Sequence, residues 1–244
     1  MNMKIEIYKD YGQLSEQVAD KVAETVRAKP DAVLCLASGH TPVGVFENLV
    51  SLARTGSVDF GRCTFIGLDE WVGIPPQNEG SCYHLLGAKL FNPLNISKTQ
   101  VLFFDGMAAS PQDECRRMDG TIARLGGLDL MLTGIGMNGH IALNEPGTPW
   151  HLRSHVVDLD ETTQTVGQKY FTKKTALRQG ITLGLQYLRE SRLTMLMASG
   201  EAKAPVVRQA LEGEVTERLP ASIFQTLENG LVFLDREAAF ELGS

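Results

Sequence analysis

The chain has 244 residues, 43% hydrophobic and 21% charged, which is enough to bury a full core in a soluble fold. Its 23 Lys and Arg against 29 Asp and Glu give a formal net charge of −6. That balance argues against sequence-blind nucleic-acid binding, which neutralises phosphates with clustered cations, but leaves room for a small anionic ligand.

The start, Met1-Asn2-Met3-Lys4-Ile5-Glu6, lacks the apolar stretch of a secretory signal, and no segment approaches the roughly 18 consecutive apolar residues of a membrane span. Lys4–Tyr8 then reads as a first strand. Asp10 with Gln13 resembles a capping box, and Leu14, Val18, Val22 and Val26 follow at helical spacing. Asp31–Ala37 is a continuous apolar run, as a strand buried on both faces requires. Thr41-Pro42 predicts the N-cap and first position of a helix that turns Val43, Phe46, Val50 and Ala53 to one side. The unit recurs: a strand at Cys63–Leu68, a helix near Ser81–Leu90, a strand at Gln100–Phe104, and a helix opened by Ser110-Pro111 that carries Cys115, Met118, Ile122 and Leu125. Strands at Leu128–Thr133 and Leu193–Ala198, a helix from about Ala202 and a strand at Leu231–Leu234 complete it.

Alternating strands and helices predict an α/β fold: a Rossmann-like single domain over residues 1–244, with a mostly parallel sheet and helices on both faces. No linker divides it. Cys35, Cys63, Cys82 and Cys115 include no C-x-x-C pair, which suits reduced structural thiols in a cytoplasmic protein and offers no spacing for zinc. Trp71, Trp150 and Phe91 suit either the core or the contact of a homo-oligomer.

Ligands of open α/β sheets bind beyond the carboxyl ends of the strands, so the residues after each strand are the candidates. After the second strand come Ser38, Gly39, His40 and Thr41 at a helix start, an arrangement that favours an anion. After the sixth, Ser199-Gly200 leads to Lys203, placed to reach the same anion as a point charge. Either turn alone reads as ordinary capping, whereas the pair points to a phosphate. After the third come Asp69 and Glu70; an acidic pair beside an apolar run and Trp71 can hold a carboxylate whose burial raises its pKa toward general-base range. After the fifth comes Gly134–Gly139, a literal G-x-G-x-x-G. Asp158 and Asp160 lie about 20 residues on, as a dinucleotide fingerprint asks, but Pro146 and Pro149 leave no room for the helix such a fingerprint needs. The loop instead carries Asn138, His140, Asn144 and Glu145, which suits acid–base chemistry on a ligand held close to the backbone.

These turns, above all Leu68–Gly73 and Gly134–Pro146, resemble the glucosamine-6-phosphate deaminase family, which shares its fold with the 6-phosphogluconolactonases. The Asn144-Glu145-Pro146 ending separates the chain from the lactonases. Lys29–Ala32, Gly126–Leu130 and Arg178–Leu185 are most similar to the galactosamine-6-phosphate deaminase/isomerase branch.

The resemblance implies conversion of a hexosamine 6-phosphate to a ketose 6-phosphate and ammonia with no cofactor and no metal. It implies Asp69 as the carboxylate that moves a proton from C2 to C1, His140 as the acid/base of ring opening, and Glu145 as its orienting carboxylate. Ser38, Gly39, His40, Thr41, Gly134 and Lys203 would hold substrate, chiefly its phosphate. Lys169 falls where the glucosamine enzymes place an arginine. Asn138 stands where those enzymes carry an aspartate, a substitution the galactosamine branch tolerates. His155 and Val157 fall where basic residues of an allosteric activator site would be expected, so no such regulation is implied. Two alternatives share this reading: a sugar-phosphate lactone hydrolase, and a silent sugar-phosphate sensor. A first strand at Lys4 leaves no room ahead of it for the DNA-binding segment such sensors carry.

Overall fold

A computed structural model describes residues 3–243. Seven strands form one parallel sheet: β1 (Lys4–Tyr8), β2 (Val33–Leu36), β3 (Thr64–Gly67), β5 (Val101–Leu102), β6 (Leu130–Thr133), β9 (Leu193–Ala198) and β10 (Gly230–Asp235), in the spatial order β1-β10-β9-β6-β2-β3-β5. Every pairing in it is parallel.

Both faces of this sheet are covered at its centre, which is why the central strands β2 and β6 read as nearly unbroken apolar runs, whereas the edge strand β1 alternates. On one face, Leu14, Val18 and Val22 of α1 (Tyr11–Ala28) and Phe46 and Leu49 of α2 (Val43–Arg54) pack on Leu34, Leu36, Leu130, Leu132 and Phe233. On the other, Met118 and Ile122 of α4 (Pro111–Arg124) and Val207 and Ala210 of α7 (Ala204–Glu212) pack on Val33, Cys35, Met131, Val232 and Leu234. Successive residues of β2 thus serve opposite layers, as the two-residue repeat of a strand dictates. Trp71 and Phe91 belong to the core, and Trp150 is partly buried with the Arg189 guanidinium 5.4 Å above its ring. The four cysteines are free and buried.

From β2 the chain moves to β3, and from β6 it moves to β9, on the opposite side. The connections therefore part above two neighbouring strands, the crevice in which open α/β sheets take their ligands.

Several boundaries differ from expectation. The anticipated helix near 81–90 is α3 (Cys82–Leu86), which widens into a π-helical turn at Gly87–Phe91. The strand at 100–104 shrinks to two residues, and the helix expected from Ala202 opens as a 3₁₀ turn at Glu201–Lys203. Thr41 is not an N-cap: no side chain caps α2, and the Tyr11 hydroxyl, donating to the Thr41 carbonyl at 2.9 Å, accepts from the Gly44 N–H at 2.8 Å.

A second sheet was not legible in the sequence. It is antiparallel, in the order β4-β8-β7, from β4 (Asp69–Trp71), β7 (His155–Asp158) and β8 (Gln179–Thr182). Asp69 and Glu70 are therefore strand residues and not a loop. Asp158, the acidic residue a dinucleotide fingerprint would use, is on β7 and bonded to the Gln179 side chain. Between β7 and β8 lies α5 (Glu161–Gly167), capped by Asp160, and α6 (Gln186–Glu190) follows β8.

Candidate functional site

Above the carboxyl ends of β2, β3, β6 and β9 lies a cavity of about 250 Å³. Ser38, Gly39, His40, Thr41, Asp69, Gly134, Asn138, His140, Lys169 and Lys203 all line it, and Glu145 stands behind His140. Residues up to 165 positions apart in the chain converge here (Ser38 to Lys203) because the parallel sheet delivers each strand end to one edge.

The loop after β2 turns at Gly39, whose φ of 126° disfavours any residue with a Cβ; one placed there would also lie 3.1 Å from the Tyr170 hydroxyl. The first N–H groups of α2 are partly spent, Val43 on the His40 carbonyl and Gly44 on Tyr11. The anion cradle is thus the Ser38–Thr41 loop more than the helix end. Across the cavity the His40 ring lies 4.9 Å from that of Tyr170. Desolvation, with Lys169 nearby, lowers its pKa and favours the neutral imidazole.

Two lysines face this loop. Lys203 donates to the Ile135 carbonyl at 2.6 Å, and burial reinforced by Lys169 lowers its pKa to about 8. Burial also lowers Lys169, whose ammonium lies 5.1 Å from the Tyr170 ring centre. An anion between them would offset both the desolvation and the mutual repulsion. The Ser199-Gly200 turn, expected beside Lys203, points elsewhere: the Ser199 hydroxyl and Gly200 N–H both donate to Asp235.

On β4, alternation separates two adjacent carboxylates. Asp69 faces the cavity, and its pKa is raised to about 7, chiefly by burial and further by Glu70. Glu70 is only 1% exposed and accepts from Trp71 N (2.9 Å), Cys82 N (3.0 Å), Tyr83 N (3.1 Å) and Ser81 Oγ (2.7 Å). Four donors make it a structural clamp on the start of α3. Burial nonetheless raises its pKa.

The glycine-rich loop holds the imidazole. The His140 ring lies so close to Gly136 that a Cβ there would collide with it. His140 Nδ1 is 3.4 Å from Glu145 Oε2 and 3.1 Å from Thr163 Oγ1, which leaves Nε2 as the nitrogen open to the cavity. The Asn138 amide donates to Glu145 Oε2 at 2.8 Å and accepts the His140 N–H at 3.2 Å. Although burial raises the Glu145 pKa, its bonds to His140, Thr163 and Asn138 prevail and lower it overall. Asn144 is structural, donating to the Ile141 and Leu183 carbonyls.

Chemically, the cavity offers a carboxyl that exchanges protons near neutrality, an imidazole aligned by a carboxylate, and two ammonium groups. Cys82, Thr163 and Tyr170 also line it and were not anticipated. Only Tyr170, adjacent to Lys169, carried a sequence signal. Among the described residues, no group of three or more His, Cys, Asp or Glu side chains converges as metal ligands would. No helix among them is long and apolar enough to cross a membrane.

Residues 10–233 match the family described as glucosamine-6-phosphate isomerases/6-phosphogluconolactonase. The glucosamine-6-phosphate deaminase of Bacillus velezensis is 39% identical over 238 residues, 97% of this chain and 99% of that protein. The deaminase of Clostridium perfringens is 35% identical over 97% of this chain and 98% of its own length. The solved structure of a monomeric glucosamine-6-phosphate deaminase is similar with a TM-score of 0.94 at 36% identity, covering 98% of this chain and 99% of that one. The 6-phosphogluconolactonase of Trypanosoma brucei, at 21% identity and a TM-score of 0.76 over 99% of both chains, shares the fold.

Proposed function

The chain belongs to the family of glucosamine-6-phosphate isomerases and 6-phosphogluconolactonases, and within it we propose that it is an amino-sugar-6-phosphate deaminase/isomerase. The observation that carries this reading is the placement of Asp69, a buried carboxyl with a pKa near neutrality, in one cavity with the His140–Glu145 pair and with Lys169 and Lys203.

In this reading the 6-phosphate lies between Lys203, Lys169 and the Ser38–Thr41 loop. It fixes the sugar at the end remote from the chemistry and turns bond making into an intramolecular problem. His140, aligned by Glu145, carries a proton from the C1 hydroxyl to the ring oxygen, which breaks the C1–O5 bond and leaves an open-chain aldehyde. Asp69 takes the proton from C2; the electron pair forms the C1–C2 double bond of an enolamine as the aldehyde oxygen gains a proton. Asp69 returns a proton to C1, giving an imine at C2, and water replaces the nitrogen to release ammonia and the ketose 6-phosphate. Gly134 shapes the floor of the sugar pocket, and Asn138 holds both a substrate hydroxyl and Glu145.

The segments similar to the galactosamine branch, together with Asn138, support galactosamine 6-phosphate as the preferred epimer, although the relatives described above are named for glucosamine 6-phosphate. The test is an assay of ammonia and ketose 6-phosphate with both epimers. Turnover of at least one supports the reading, and turnover of neither removes it.

A further inference from the structure

Two oxygens approach Nδ1 of His140, and the nearer belongs to the hydroxyl of Thr163, at 3.1 Å; Glu145 Oε2 stands at 3.4 Å. Thr163 sits in the first turn of α5 and is 4% exposed, so its hydroxyl is shielded from water. Helical threonines commonly turn the hydroxyl back to the carbonyl four residues earlier. Thr25 does so to Lys21 at 3.1 Å, and Thr121 to Arg117 at 2.8 Å. For Thr163 that carbonyl belongs to Leu159, and it accepts the Gln164 side-chain amide at 2.8 Å instead. The Thr163 hydroxyl is left to face the imidazole. The same turn also meets the other member of the pair, because the N–H of Asp160, the cap of α5, donates to Glu145 Oε1 at 3.3 Å.

We propose that Thr163 is a positioning residue for His140: its hydroxyl oxygen accepts the Nδ1 proton and holds the ring in the one orientation that turns the Nε2 lone pair to the cavity.

The direction of this bond follows from Glu145. Burial raises the Glu145 pKa, but the bonds from its neighbours prevail and lower it, so near neutral pH it is a carboxylate and can only accept. An Nδ1 lone pair aimed at that carboxylate would be repelled, so Nδ1 carries the proton. Glu145 attracts that proton by charge from 3.4 Å, and Thr163 supplies the shorter, directional bond. Charge selects the tautomer, and the hydroxyl fixes the ring.

The inference about position stands on geometry; its kinetic consequence rests on the deaminase reading. The experiment is nitrogen-15-edited proton NMR of the imidazole in the full chain, with the His140 signals assigned by their loss in His140→Gln. It compares wild type with Thr163→Val, which keeps the shape and removes the hydroxyl, and with Thr163→Ser, which keeps the hydroxyl. Each is checked for an unchanged melting temperature, and Thr163→Ala replaces valine as the hydroxyl-free variant if valine does not fold. Wild type is expected to show a protected Nδ1–H that exchanges with solvent about 3- to 10-fold faster in the hydroxyl-free variant, the scale of one modest hydrogen bond, and serine is expected to restore it. With a hexosamine 6-phosphate, kcat is expected to fall by a similar factor while KM stays nearly unchanged, again with rescue by serine. Unchanged exchange in the hydroxyl-free variant, a wild-type proton on Nε2 instead of Nδ1, or serine no better than valine overturns the role of Thr163. Absence of turnover in wild type overturns the functional reading and leaves the exchange measurement to decide on Thr163.

Discussion

Asp69 and Glu70 are consecutive on one short strand, yet one faces the cavity and the other is sealed under four hydrogen-bond donors. The two-residue repeat of the strand gives the pair opposite tasks. Glu70 fixes the geometry, and Asp69 keeps a proton affinity near neutrality because few groups compensate its burial.

Asp69→Asn is expected to abolish turnover while leaving substrate binding largely intact, as calorimetry would show. The same change is expected to stabilise the fold. A carboxyl whose folded pKa is about 7 contributes stability fully present below its unfolded pKa of about 4 and lost as pH rises through 7. The variant should therefore gain on the order of 1–3 kcal/mol at pH 8 and nothing at pH 4. Thermal melts at the two pH values check the sign. Near-normal kcat would remove Asp69 from the chemistry.

The pH profile of kcat/KM is expected to be narrow. Asp69 must be ionised, which sets an acid limb near 7, and Lys203 must be protonated to hold phosphate, which sets an alkaline limb near 8. Lys203→Met is expected to raise KM about 10- to 100-fold, as loss of one charge-assisted hydrogen bond would, and to erase the alkaline limb. An alkaline limb that survives in this variant would reassign that ionisation.

Gly136→Ala is expected to push the His140 ring off its seat against Glu145 and lower kcat by more than tenfold, with a smaller change in KM. Crystallography or imidazole NMR would report the displacement. A fully active alanine variant would mean that the ring does not need this position.

Asn138→Asp replaces the amide donor 2.8 Å from Glu145 with a second carboxylate. Two such groups at this distance do not both ionise freely, so one gains proton affinity. Relative to wild type at the same pH, activity is expected to fall most at pH 8, with the deficit shrinking as the pH drops toward 6. A ratio to wild type that does not change with pH would show that the Asn138–Glu145 bond does not govern His140.

Much of this architecture was readable in the sequence because its causes are local. The apolar runs of β2 and β9 and the Asp10 and Ser110 caps define elements without help from distant residues. The rule that parallel sheets bind at their carboxyl edge groups Ser38–Thr41, Asp69, His140 and Lys203 from the sequence alone. What escaped depends on partners far along the chain. Asp69-Glu70-Trp71 has poor strand propensity and forms β4 only because β8, more than 100 residues on, pairs with it. Tyr11 takes over the start of α2 from Thr41 by a contact across 30 residues. Thr163 meets His140 only when α5 folds over the cavity. Cys82 reads as a core thiol until Glu70 fixes α3 beside Asp69.

The most direct test of the proposed chemistry is proton NMR of the reaction in D2O with galactosamine 6-phosphate and glucosamine 6-phosphate. Transfer through Asp69 should yield a ketose 6-phosphate with at least partial deuterium at C1, one ammonia per sugar, and no exchange with Asp69→Asn. Ketose formed without deuterium at C1, or no ammonia from either sugar while a phosphogluconolactone is hydrolysed, would contradict it.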